Sequence, residues 1–374
     1  MKKLFIITGE YSGDIHASHV VRALKEKAPD ICIEGIGSEN MQREGVKLFA
    51  DHKKMSSVGL SPSIIINHIR LGQQVVNYIT NEFRPDAVLL VDYGGFNLRV
   101  AKYIKQAGIK VLYYIPPQVW ASRKGRIKKI KQYVDEVLCI FPFEKQLYEN
   151  YGIKVHYCGH PLVSQLPERA NRGEFFEKHG LDKNKKLVSV FPGSRVFELK
   201  YLMKIFIKTA QYLQKRHPDL QFCISHAPNL SDEIYSKYLK NTSFKVIKGE
   251  NQALLSVSDA LILASGTVAL EACLYQTPMV IAYKGPWLFY LIYLLVRCIK
   301  RVSLPNIIAD KSIVPEIIQG DVNINKISYE IEKLLFETAY RENNIKELGL
   351  VKSMLSDKVS SDEAAKEILN LFSD

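Results

Sequence analysis

The segment Ala260–Tyr283, ALILASGTVALEACLYQTPMVIAY, constrains the fold more than any other part of the sequence. Its first five residues are small or branched and apolar, which is typical of a strand buried on both faces. Residues 268–275 have helical spacing, and a second apolar run, 279–283, follows. The loop between the first strand and the helix has no bulky side chain and offers two hydroxyl groups: Ser265, Gly266 and Thr267. We therefore predict a strand–loop–helix–strand unit with Thr267 as N-cap.

Such a unit directs backbone N–H groups and the positive end of the helix dipole toward a ligand above the loop. A diphosphate suits this position. Glu271 lies one helical turn beyond Thr267, so its carboxylate can accept hydrogen bonds from the vicinal hydroxyls of a sugar. An ordinary strand–helix turn with a solvated Glu271 would have the same sequence, and the motif alone does not distinguish the two.

Apolar strands alternate with helical segments along both halves of the chain, which implies right-handed crossovers and mostly parallel sheets. A polar, charged stretch, 167–186, separates the halves and is the predicted linker. We expect an α/β protein with two Rossmann-like doubly wound domains facing across a cleft, as in two-Rossmann (GT-B) nucleotide-sugar glycosyltransferases. The strands expected before the central segment are Leu4–Thr8, Ile31–Ile36, Ala87–Val91, Lys110–Ile115, Val134–Phe141, Val155–Cys158, Leu187–Phe191, Leu220–Ser225 and Phe244–Ile247.

Charge and cysteine usage limit the partners and the compartment. The 374 residues include 51 Lys and Arg against 39 Asp and Glu, a net charge of +12, which suits nucleic acid, phosphorylated ligands or an anionic membrane. The six cysteines are scattered without a C-x-x-C pair, as expected for reduced core residues of a cytosolic protein. The few apolar residues before Gly9 are too short for a signal-peptide core. We therefore expect a cytoplasmic protein.

A second strand-end loop in the same half carries an arginine. A guanidinium can fork two phosphoryl oxygens and keeps its charge, so this loop suits a diphosphate, although a surface turn with a solvated arginine is an equal alternative. Because this loop and the Ser265–Thr267 loop follow strands of one domain, they could flank a single ligand. The residues of the loop that we assign to donor binding are Gly193, Ser194 and Arg195.

Two strand-end loops of the first half carry acids and glycines. The loop after the first strand lacks the spacing of a dinucleotide fingerprint or a P-loop, but it offers two carboxylates and an imidazole: Gly9, Glu10, Ser12, Gly13, Asp14 and His16. Asp92 begins a second loop, DYGGFN, and could act as general base on a hydroxyl or cap the following helix. No H-E-x-x-H motif or Cys/His cluster predicts a bound zinc.

The most apolar run, 286–299, is shorter than the roughly 20 residues of a bilayer span and contains Arg297. A buried core helix is one interpretation of it. Cations flank this run and a second apolar patch in the first half, which is typical of a protein resting on an anionic membrane surface. The residues predicted to face the membrane are Ile64, Ile65, Ile66, Ile69, Trp287, Leu288, Leu291 and Leu294.

Seven stretches together resemble the lipid-A-disaccharide synthases, inverting glycosyltransferases of Gram-negative bacteria. They follow the family's order over most of residues 1–320: GEYSGDIHA, VDYGGFN, YYIPPQVWA, GHPLV, PGSR, ASGTVALE and SLPNIIAD. The resemblance implies transfer of 2,3-diacylglucosamine from its UDP carrier to 2,3-diacylglucosamine 1-phosphate, which gives a β-1,6-linked disaccharide 1-phosphate and UDP. No cofactor is expected, and positive helix ends can replace a divalent metal at the leaving diphosphate.

The resemblance also implies roles for individual residues. Arg195, Glu271 and Asn306 fall in the donor-nucleotide motifs, and Asp92 is the candidate base for the acceptor 6-hydroxyl. The N-terminal loop, with Glu10, Asp14 and His16, is the alternative source of the base. The acceptor-side set comprises Gly9, Ser12, Gly13, Asn97 and Trp120. Two positions depart from the family pattern: Gly94 replaces the usual proline, and Ser122 replaces a second tryptophan.

The domains implied are an acceptor-side domain, 1–166, and a UDP-sugar domain, 167–349. Final helices, 350–374, are expected to cross back to the first domain, and in some family members they swap between the protomers of a dimer. We therefore expect an enzyme peripheral to the cytoplasmic face of the inner membrane, a possible homodimer, and no nucleic-acid partner.

Other functions fit parts of this sequence. Another two-Rossmann UDP-sugar enzyme, such as a transferase on the peptidoglycan lipid or a UDP-sugar 2-epimerase, would share the fold. The apolar stretches argue against the epimerase, because its substrate is soluble. A non-catalytic protein of RNA or anionic membranes would use the same basic helices, but Asp92, Arg195 and Glu271 at three strand ends argue against it.

Overall fold

The computed structural model describes residues 2–51, 62–121, 124–240, 242–287, 290, 301–355 and 358–373, with side chains from residue 66 in the second of these ranges. The chain forms two compact units, Met1–Ser164 with Leu355–Asp374, and Gln165–Met354. From the sequence, the second domain was expected to begin at residue 167, and the return to the first domain at residue 350.

The first unit contains a seven-stranded sheet in the order β3-β2-β1-β4-β5-β6-β7, in which every neighbouring pair is parallel. The order reverses between β1 and β4, which makes this pair the topological switch point of a doubly wound sheet. The strands are β1 (Lys3–Ile7), β2 (Cys32–Gly37), β3 (Lys47–Asp51), β4 (Ala87–Val91), β5 (Lys110–Tyr114), β6 (Glu136–Cys139) and β7 (Val155–Tyr157).

Helices connect these strands, and their apolar faces meet the sheet in a core that includes Phe5, Ile79, Leu90, Ala101 and Tyr113. The third helix continues into a π-helical turn, Tyr78–Phe83. The helices are α1 (Tyr11–Lys27), α2 (Glu39–Arg43), α3 (Pro62–Asn77), α4 (Gly94–Gln106), α5 (Arg126–Tyr133), α6 (Pro142–Asn150) and α7 (Pro161–Gln165).

The second unit repeats this design with a six-stranded parallel sheet in the order β10-β9-β8-β11-β12-β13, whose switch point lies between β8 and β11. The strands are β8 (Lys186–Phe191), β9 (Leu220–His226), β10 (Lys245–Lys248), β11 (Ala260–Ala264), β12 (Met279–Tyr283) and β13 (Glu316–Ile318). All five residues of β11 are buried, as its apolar sequence predicts. The predicted α/β class with two doubly wound sheets is therefore confirmed.

Eight described helices belong to this second unit and cover its sheet. The longest, α9, packs against α14 over the apolar core, which includes Leu202, Phe206 and Ile331. The helices are α8 (Arg172–Lys178), α9 (Val196–Arg216), α10 (Asp232–Leu239), α11 (Asn251–Val257), α12 (Val268–Leu274), α13 (Leu304–Ile308), α14 (Ile324–Phe336) and α15 (Thr338–Met354).

The last helix, α16 (Ser360–Ser373), belongs to the first unit and packs against α1. Leu355 and the first residue of the helix, Ser360, are each held at the end of a strand of the first sheet. The hydroxyl of Tyr157 donates to the carbonyl oxygen of Leu355 at 2.7 Å, and the buried hydroxyls of Tyr114 and Ser360 lie 2.8 Å apart. The C-terminal helix thus holds α1, which begins at the loop that follows β1.

Candidate active site

The two acid-bearing loops of the first unit lie side by side. β1 and β4 pair in register, with Ile7 opposite Leu90, so the loops that follow them leave the same edge of the sheet. A Cβ atom on Gly9 would lie 2.1 Å from the ring of Tyr93, and one on Gly13 would lie 4.0 Å from Cβ of Asp92. Glycine at position 9 therefore lets the chain approach the Asp92 turn closely, whereas the distance at Gly13 is an ordinary contact.

Asp92 and Tyr93 both adopt left-handed backbone conformations, with φ of 50° and 46°. This conformation is costly for residues other than glycine and is found at functional sites that the surrounding structure holds in place. Here the carboxamide of Asn97 and the hydroxyl of Tyr113 both donate to the carbonyl oxygen of Asp92, at 2.8 and 2.7 Å. The predicted acceptor-side residue Asn97 therefore acts by fixing the turn.

The carboxylate of Asp92 is largely buried, and this burial raises its pKa above the ordinary value. A hydrogen bond from the backbone N–H of Tyr93 lowers the pKa, but by less than burial raises it. The residue at the N-cap of α4 is Tyr93, and its side chain makes no capping hydrogen bond. Asp92 is therefore not a helix cap, which was the alternative interpretation of its sequence position. A carboxylate with a raised pKa at a strand end is suited to accepting a proton.

Asp14 makes a different set of contacts. Its buried carboxylate accepts hydrogen bonds from the backbone N–H of Ser38 at 2.6 Å and from the backbone and side-chain nitrogens of Asn40 at 3.1 and 2.9 Å. Ser38 is the N-cap residue of α2, so this carboxylate joins the first turns of α1 and α2. These three hydrogen bonds leave about one of the roughly four acceptor positions of the carboxylate unused, which supports a structural contribution of Asp14. Its catalytic role stays a prediction.

The imidazole of His16 is neutral at physiological pH, because burial, and then His19, lower its pKa to about 4. Its Nδ1 atom is buried and has no hydrogen-bond partner among the described residues. His160 is also neutral, with a pKa that burial and His16 lower to about 3, and its Nδ1 accepts from the backbone N–H of Leu162 at 3.2 Å. Glu10 and Ser12 lie exposed at the start of α1.

Trp120 is buried, and its indole N–H donates to the Glu144 carboxylate at 2.9 Å. The same carboxylate accepts from the backbone N–H of Phe141 at 3.2 Å, and burial raises its pKa to about 7. Its indole N–H thus anchors Trp120 in the core, and its place on the acceptor side stays a prediction. Sequence analysis missed Glu144, because the residue three positions before it is Phe141 and not one of the polar residues that mark a capping box.

Gly94 is one of the two departures from the family pattern. A Cβ atom at this position would lie 2.3 Å from Cγ of Pro117 and 3.1 Å from a guanidinium nitrogen of Arg126. The ring of Pro117 thus fills the space that a proline at position 94 would use. The second departure, Ser122, lies outside the described residues.

In the second unit, the arginine loop and the Ser265–Thr267 loop leave neighbouring strands, since Phe191 of β8 pairs with Leu263 of β11. Glu198 organises the arginine loop. Its carboxylate accepts from the backbone N–H groups of Ser194 and Arg195 at 2.9 and 3.2 Å and from the Arg195 guanidinium at 3.2 Å. Gly193 has a φ of 110°, and a Cβ atom there would lie 2.2 Å from the Glu198 carboxylate.

The guanidinium of Arg195 is 70% exposed, so it can reach a ligand. The backbone N–H groups of Ser194 and Arg195 already donate to Glu198. The group of this loop that is available to a ligand is therefore the side chain of Arg195. Glu198 lies three residues after Arg195, the spacing of a capping box, but arginine is not a capping residue of that motif, so the sequence did not identify Glu198.

The Ser265–Thr267 loop opens α12. Gly266 and Thr267 are exposed, and Thr267 occupies the N-cap position but makes no capping hydrogen bond with its side chain. Thr267 therefore occupies the predicted N-cap position, but its side chain does not make the hydrogen bond expected of an N-cap residue. The first N–H groups of a helix lack intrahelical acceptors and face outward from its start. Burial raises the pKa of Glu271, which lies on the same helix.

Asn306 is buried, and its carboxamide is fully used within the protein. Nδ2 donates to the Val314 carbonyl at 2.9 Å and to Glu316 at 2.8 Å, while Oδ1 accepts from the backbone N–H groups of Ile313 and Val314 at 2.7 and 3.0 Å. A carboxamide has two donors and two acceptor sites, so none is left for a nucleotide. The predicted donor contact of Asn306 is therefore indirect: the residue fixes α13 to the loop before β13.

The apolar residues predicted to face a membrane are exposed where the structure describes them. Ile66 is 59%, Ile69 49% and Trp287 63% exposed. The described helices include none with the length and apolar content needed to cross a bilayer. The side chains of two residues and the whole of three others lie outside the described part of the chain: Ile64, Ile65, Leu288, Leu291 and Leu294.

The described residues contain no group of three or more His, Cys, Asp or Glu side chains that could hold a metal ion. The expectation of a metal-independent reaction stays a prediction.

Comparison with known proteins identifies close sequence relatives over the whole chain. A family model described as lipid-A-disaccharide synthetase matches residues 4–369. The lipid-A-disaccharide synthase of Coxiella burnetii (strain CbuG_Q212) is 36% identical over 373 residues, which cover 99% of each chain. The corresponding Myxococcus xanthus protein is 33% identical and covers 99% of this chain and 97% of its own.

Solved structures with the same fold are more distant in sequence. The S. aureus MnaA–UDP complex has a TM-score of 0.68 at 14% identity and covers 100% of this chain and 98% of that one. The UDP-GlcNAc 2-epimerase of Neisseria meningitidis bound to UDP-GlcNAc has a TM-score of 0.63 at 14% identity, with complete coverage of both chains (100%). At such identities the similarity establishes the fold alone.

Proposed function

Because the chain belongs to the lipid-A-disaccharide synthase family, we propose that it transfers 2,3-diacylglucosamine from UDP to 2,3-diacylglucosamine 1-phosphate. The enzyme is a glycosyltransferase of lipid A disaccharide synthesis. The proposed bond joins the anomeric carbon of the donor to the 6-hydroxyl oxygen of the acceptor with inversion. The C–O bond to the diphosphate breaks, UDP leaves, and the proton of the hydroxyl passes to the enzyme.

The strained turn at Asp92 carries this proposal. Its carboxylate lies at the switch point of the first sheet, and Asn97 and Tyr113 fix the backbone that presents it. Because burial raises its pKa, the carboxylate is a stronger base than an exposed aspartate, and it takes the proton of the acceptor hydroxyl. Asp14 and Asn97 act as positioning residues, and neutral His16 is a hydrogen-bonding group beside them.

Neutralisation of the leaving diphosphate is assigned to the second unit. The exposed guanidinium of Arg195 forks two phosphoryl oxygens, and the N–H groups at the start of α12, above Gly266, bind the remaining charge. Glu271 accepts hydrogen bonds from the nucleotide sugar. These fixed positive groups replace a divalent cation, so the reaction proceeds without one.

The acylated substrates place the enzyme at a membrane. The net charge of +12 and the exposed side chains of Ile66, Ile69 and Trp287 support peripheral binding to an anionic surface, the cytoplasmic face of the inner membrane. The homodimer implied by the family resemblance is part of the same proposal, and sedimentation of the detergent-free protein tests it.

A coupled assay of UDP release tests the reaction. The protein is incubated with UDP-2,3-diacylglucosamine, with and without the 1-phosphate acceptor, and each mixture is repeated with EDTA. UDP is expected only when the acceptor is present, at a rate that EDTA leaves unchanged. Release without acceptor, or no release by folded protein, would overturn the proposal. Epimerisation of UDP-GlcNAc in a parallel sample would assign the chain to the enzymes whose fold it shares.

A further inference from the structure

A cavity of about 1010 Å³ lies in the first unit between α3, α4 and α5. This volume is at the upper end of small-molecule sites. Its walls are mostly apolar and aromatic: Ile69, Val76, Tyr93, Phe96, Val100 and Tyr103.

Gly72 keeps one wall of the cavity open. It lies in the interior of the 16-residue helix α3, where glycine is unfavourable relative to alanine. A Cβ atom there would lie 3.6 Å from Phe96 and 3.9 Å from Val100, which are ordinary contact distances, so packing does not require glycine. Gly95 also lines the cavity, and a Cβ atom there would have no atom within 4 Å. Both glycines leave room that a side chain would fill.

The charges at the cavity have one sign. Arg99, Lys102 and Lys129 line it and are exposed, and its described lining contains no aspartate or glutamate. An apolar cavity with a cationic rim is complementary to an amphiphile whose polar end is anionic.

The cavity adjoins the turn that carries the proposed base. Tyr93 lines the cavity, follows Asp92 directly, and has its hydroxyl 2.8 Å from Nε2 of His68 in α3. A molecule with its polar end at Asp92 would therefore have the cavity within reach of its apolar part.

We propose that this cavity binds a fatty acyl chain of the acylated sugar phosphate acceptor while the sugar lies at Asp92. The inference rests on the proposed function and names the part of the protein that selects the acceptor. Each methylene group that the cavity removes from water strengthens binding about fourfold. The cavity therefore makes the enzyme sensitive to acyl-chain length, and Gly72 sets the depth that the chain can use.

Substitution at Gly72 tests this inference. Gly72→Ala and Gly72→Leu are compared with Gln74→Leu, an exposed position of the same helix that does not line the cavity. The readout is kcat/KM for acceptors of increasing acyl length. Gly72→Leu is expected to lose at least tenfold for the longest chain and little for the shortest, with Gly72→Ala in between and Gln74→Leu unchanged. Thermal unfolding monitors folding, and Gly72→Ala is expected to be at least as stable as the wild type.

Direct binding separates this inference from the proposed reaction. Dodecyl phosphate, kept below its micelle concentration, is titrated into each variant by calorimetry. The wild type and Gln74→Leu are expected to bind it, and Gly72→Leu to bind at least tenfold more weakly. If the protein shows this binding pattern but no transferase activity, the result supports the cavity proposal and contradicts the proposed reaction.

The cavity proposal would be overturned if the enzyme is active and both Gly72 variants keep the wild-type preference for acyl-chain length and the wild-type affinity for dodecyl phosphate.

Binding to vesicles tests whether the cavity instead takes an acyl chain from a membrane lipid. Gly72→Leu is expected to bind vesicles of phosphatidylglycerol as the wild type does. If it is released from them while its chain preference is unchanged, the cavity takes a membrane lipid and the proposal is wrong.

Discussion

The carboxamide nitrogen of Asn97 donates to the backbone carbonyl oxygen of Asp92 at 2.8 Å. The hydroxyl of Tyr113, from the neighbouring strand β5, donates to the same oxygen at 2.7 Å. Together they hold two successive non-glycine residues in left-handed conformations, each of which costs about 1–3 kcal/mol. The turn is thus maintained by the fold around it and fixes where the Asp92 carboxylate lies.

Asp92→Asn is expected to remove most turnover and leave UDP binding close to that of the wild type. Asparagine preserves the shape of the side chain but cannot accept the acceptor proton, so kcat should fall by about 10²–10⁴-fold. Turnover and calorimetric titration with UDP measure the two effects. A matching loss of UDP affinity would remove Asp92 from the role of base.

The same substitution should leave the protein at least as stable as the wild type above the pKa of Asp92. Burial raises that pKa, which means that the fold disfavours the charged carboxylate. The penalty is present when Asp92 is ionised and is relieved as the pH falls through its pKa. Asparagine removes the charge at every pH. A melting temperature well below that of the wild type at pH 8 would show that the carboxylate stabilises the turn.

The pH profile of kcat/KM should show an acid limb above the ordinary aspartate pKa of about 3.9. Asp92 must be deprotonated to act as base, and activity is lost as the pH falls through its raised pKa. Burial lowers the pKa of His16 to about 4, so this imidazole is neutral above that pH and contributes no limb near 6.5. A limb near 6.5 that disappears in His16→Asn would instead identify the histidine as the base.

Asp14→Asn is expected to destabilise the protein by about 1–3 kcal/mol, because it replaces one of the two buried oxygens that accept three hydrogen bonds with an NH2 donor. Denaturant unfolding measures the change in free energy. Asp30→Asn, at an exposed position just beyond α1, is the control and should have little effect. Normal stability combined with loss of turnover in Asp14→Asn would return Asp14 to the catalytic candidates.

The bounds of two inner strands of the second unit were predictable because a parallel strand buried on both faces is a continuous apolar run, whereas the short edge strand β13 was not predicted. Ala260–Ala264 and Met279–Tyr283 have the same bounds in the sequence prediction and in the structure. That the arginine loop and the Ser265–Thr267 loop leave neighbouring strands also followed from the alternation of strands and helices, since the carboxyl ends of parallel strands share one edge.

The direction of each polar side chain was not predictable. Asp14 and Asn306 are the residue types that a site would use, but their partners are Ser38, 24 residues away, and Glu316, ten residues away. Only the folded chain brings these groups together. The cavity beside Gly72 was missed for the same reason, because its walls come from three helices.

Arg195→Ala is expected to weaken UDP binding about 10–100-fold, because hydrogen bonds to charged groups contribute about 1.5–3 kcal/mol. Glu198→Gln should weaken it less, since the guanidinium remains but its loop loses a charged acceptor. Arg216→Ala, at the other end of α9, controls for the loss of a positive charge. Calorimetry with UDP measures all three. Equal effects of Arg195→Ala and Arg216→Ala would mean that Arg195 acts only through net charge.

Membrane binding is expected to depend on exposed apolar side chains as well as on the positive charge. Ile66 and Trp287 are 59% and 63% exposed, and burying either in the acyl region of a membrane contributes about 1.5–3 kcal/mol. Ile66→Ser and Trp287→Ser should therefore each weaken binding to phosphatidylglycerol vesicles by about tenfold or more. Leu350→Ser, which removes an exposed leucine from α15, is the matched control.

Co-sedimentation with vesicles at low and high salt separates the two contributions. Salt screens the attraction between the basic protein and the anionic lipid but leaves the apolar contribution in place. The variants should thus differ most from the wild type at high salt, where the charge contributes least. If both variants sediment like Leu350→Ser at every salt concentration, these side chains do not enter the membrane, and the peripheral association must be assigned to charge alone.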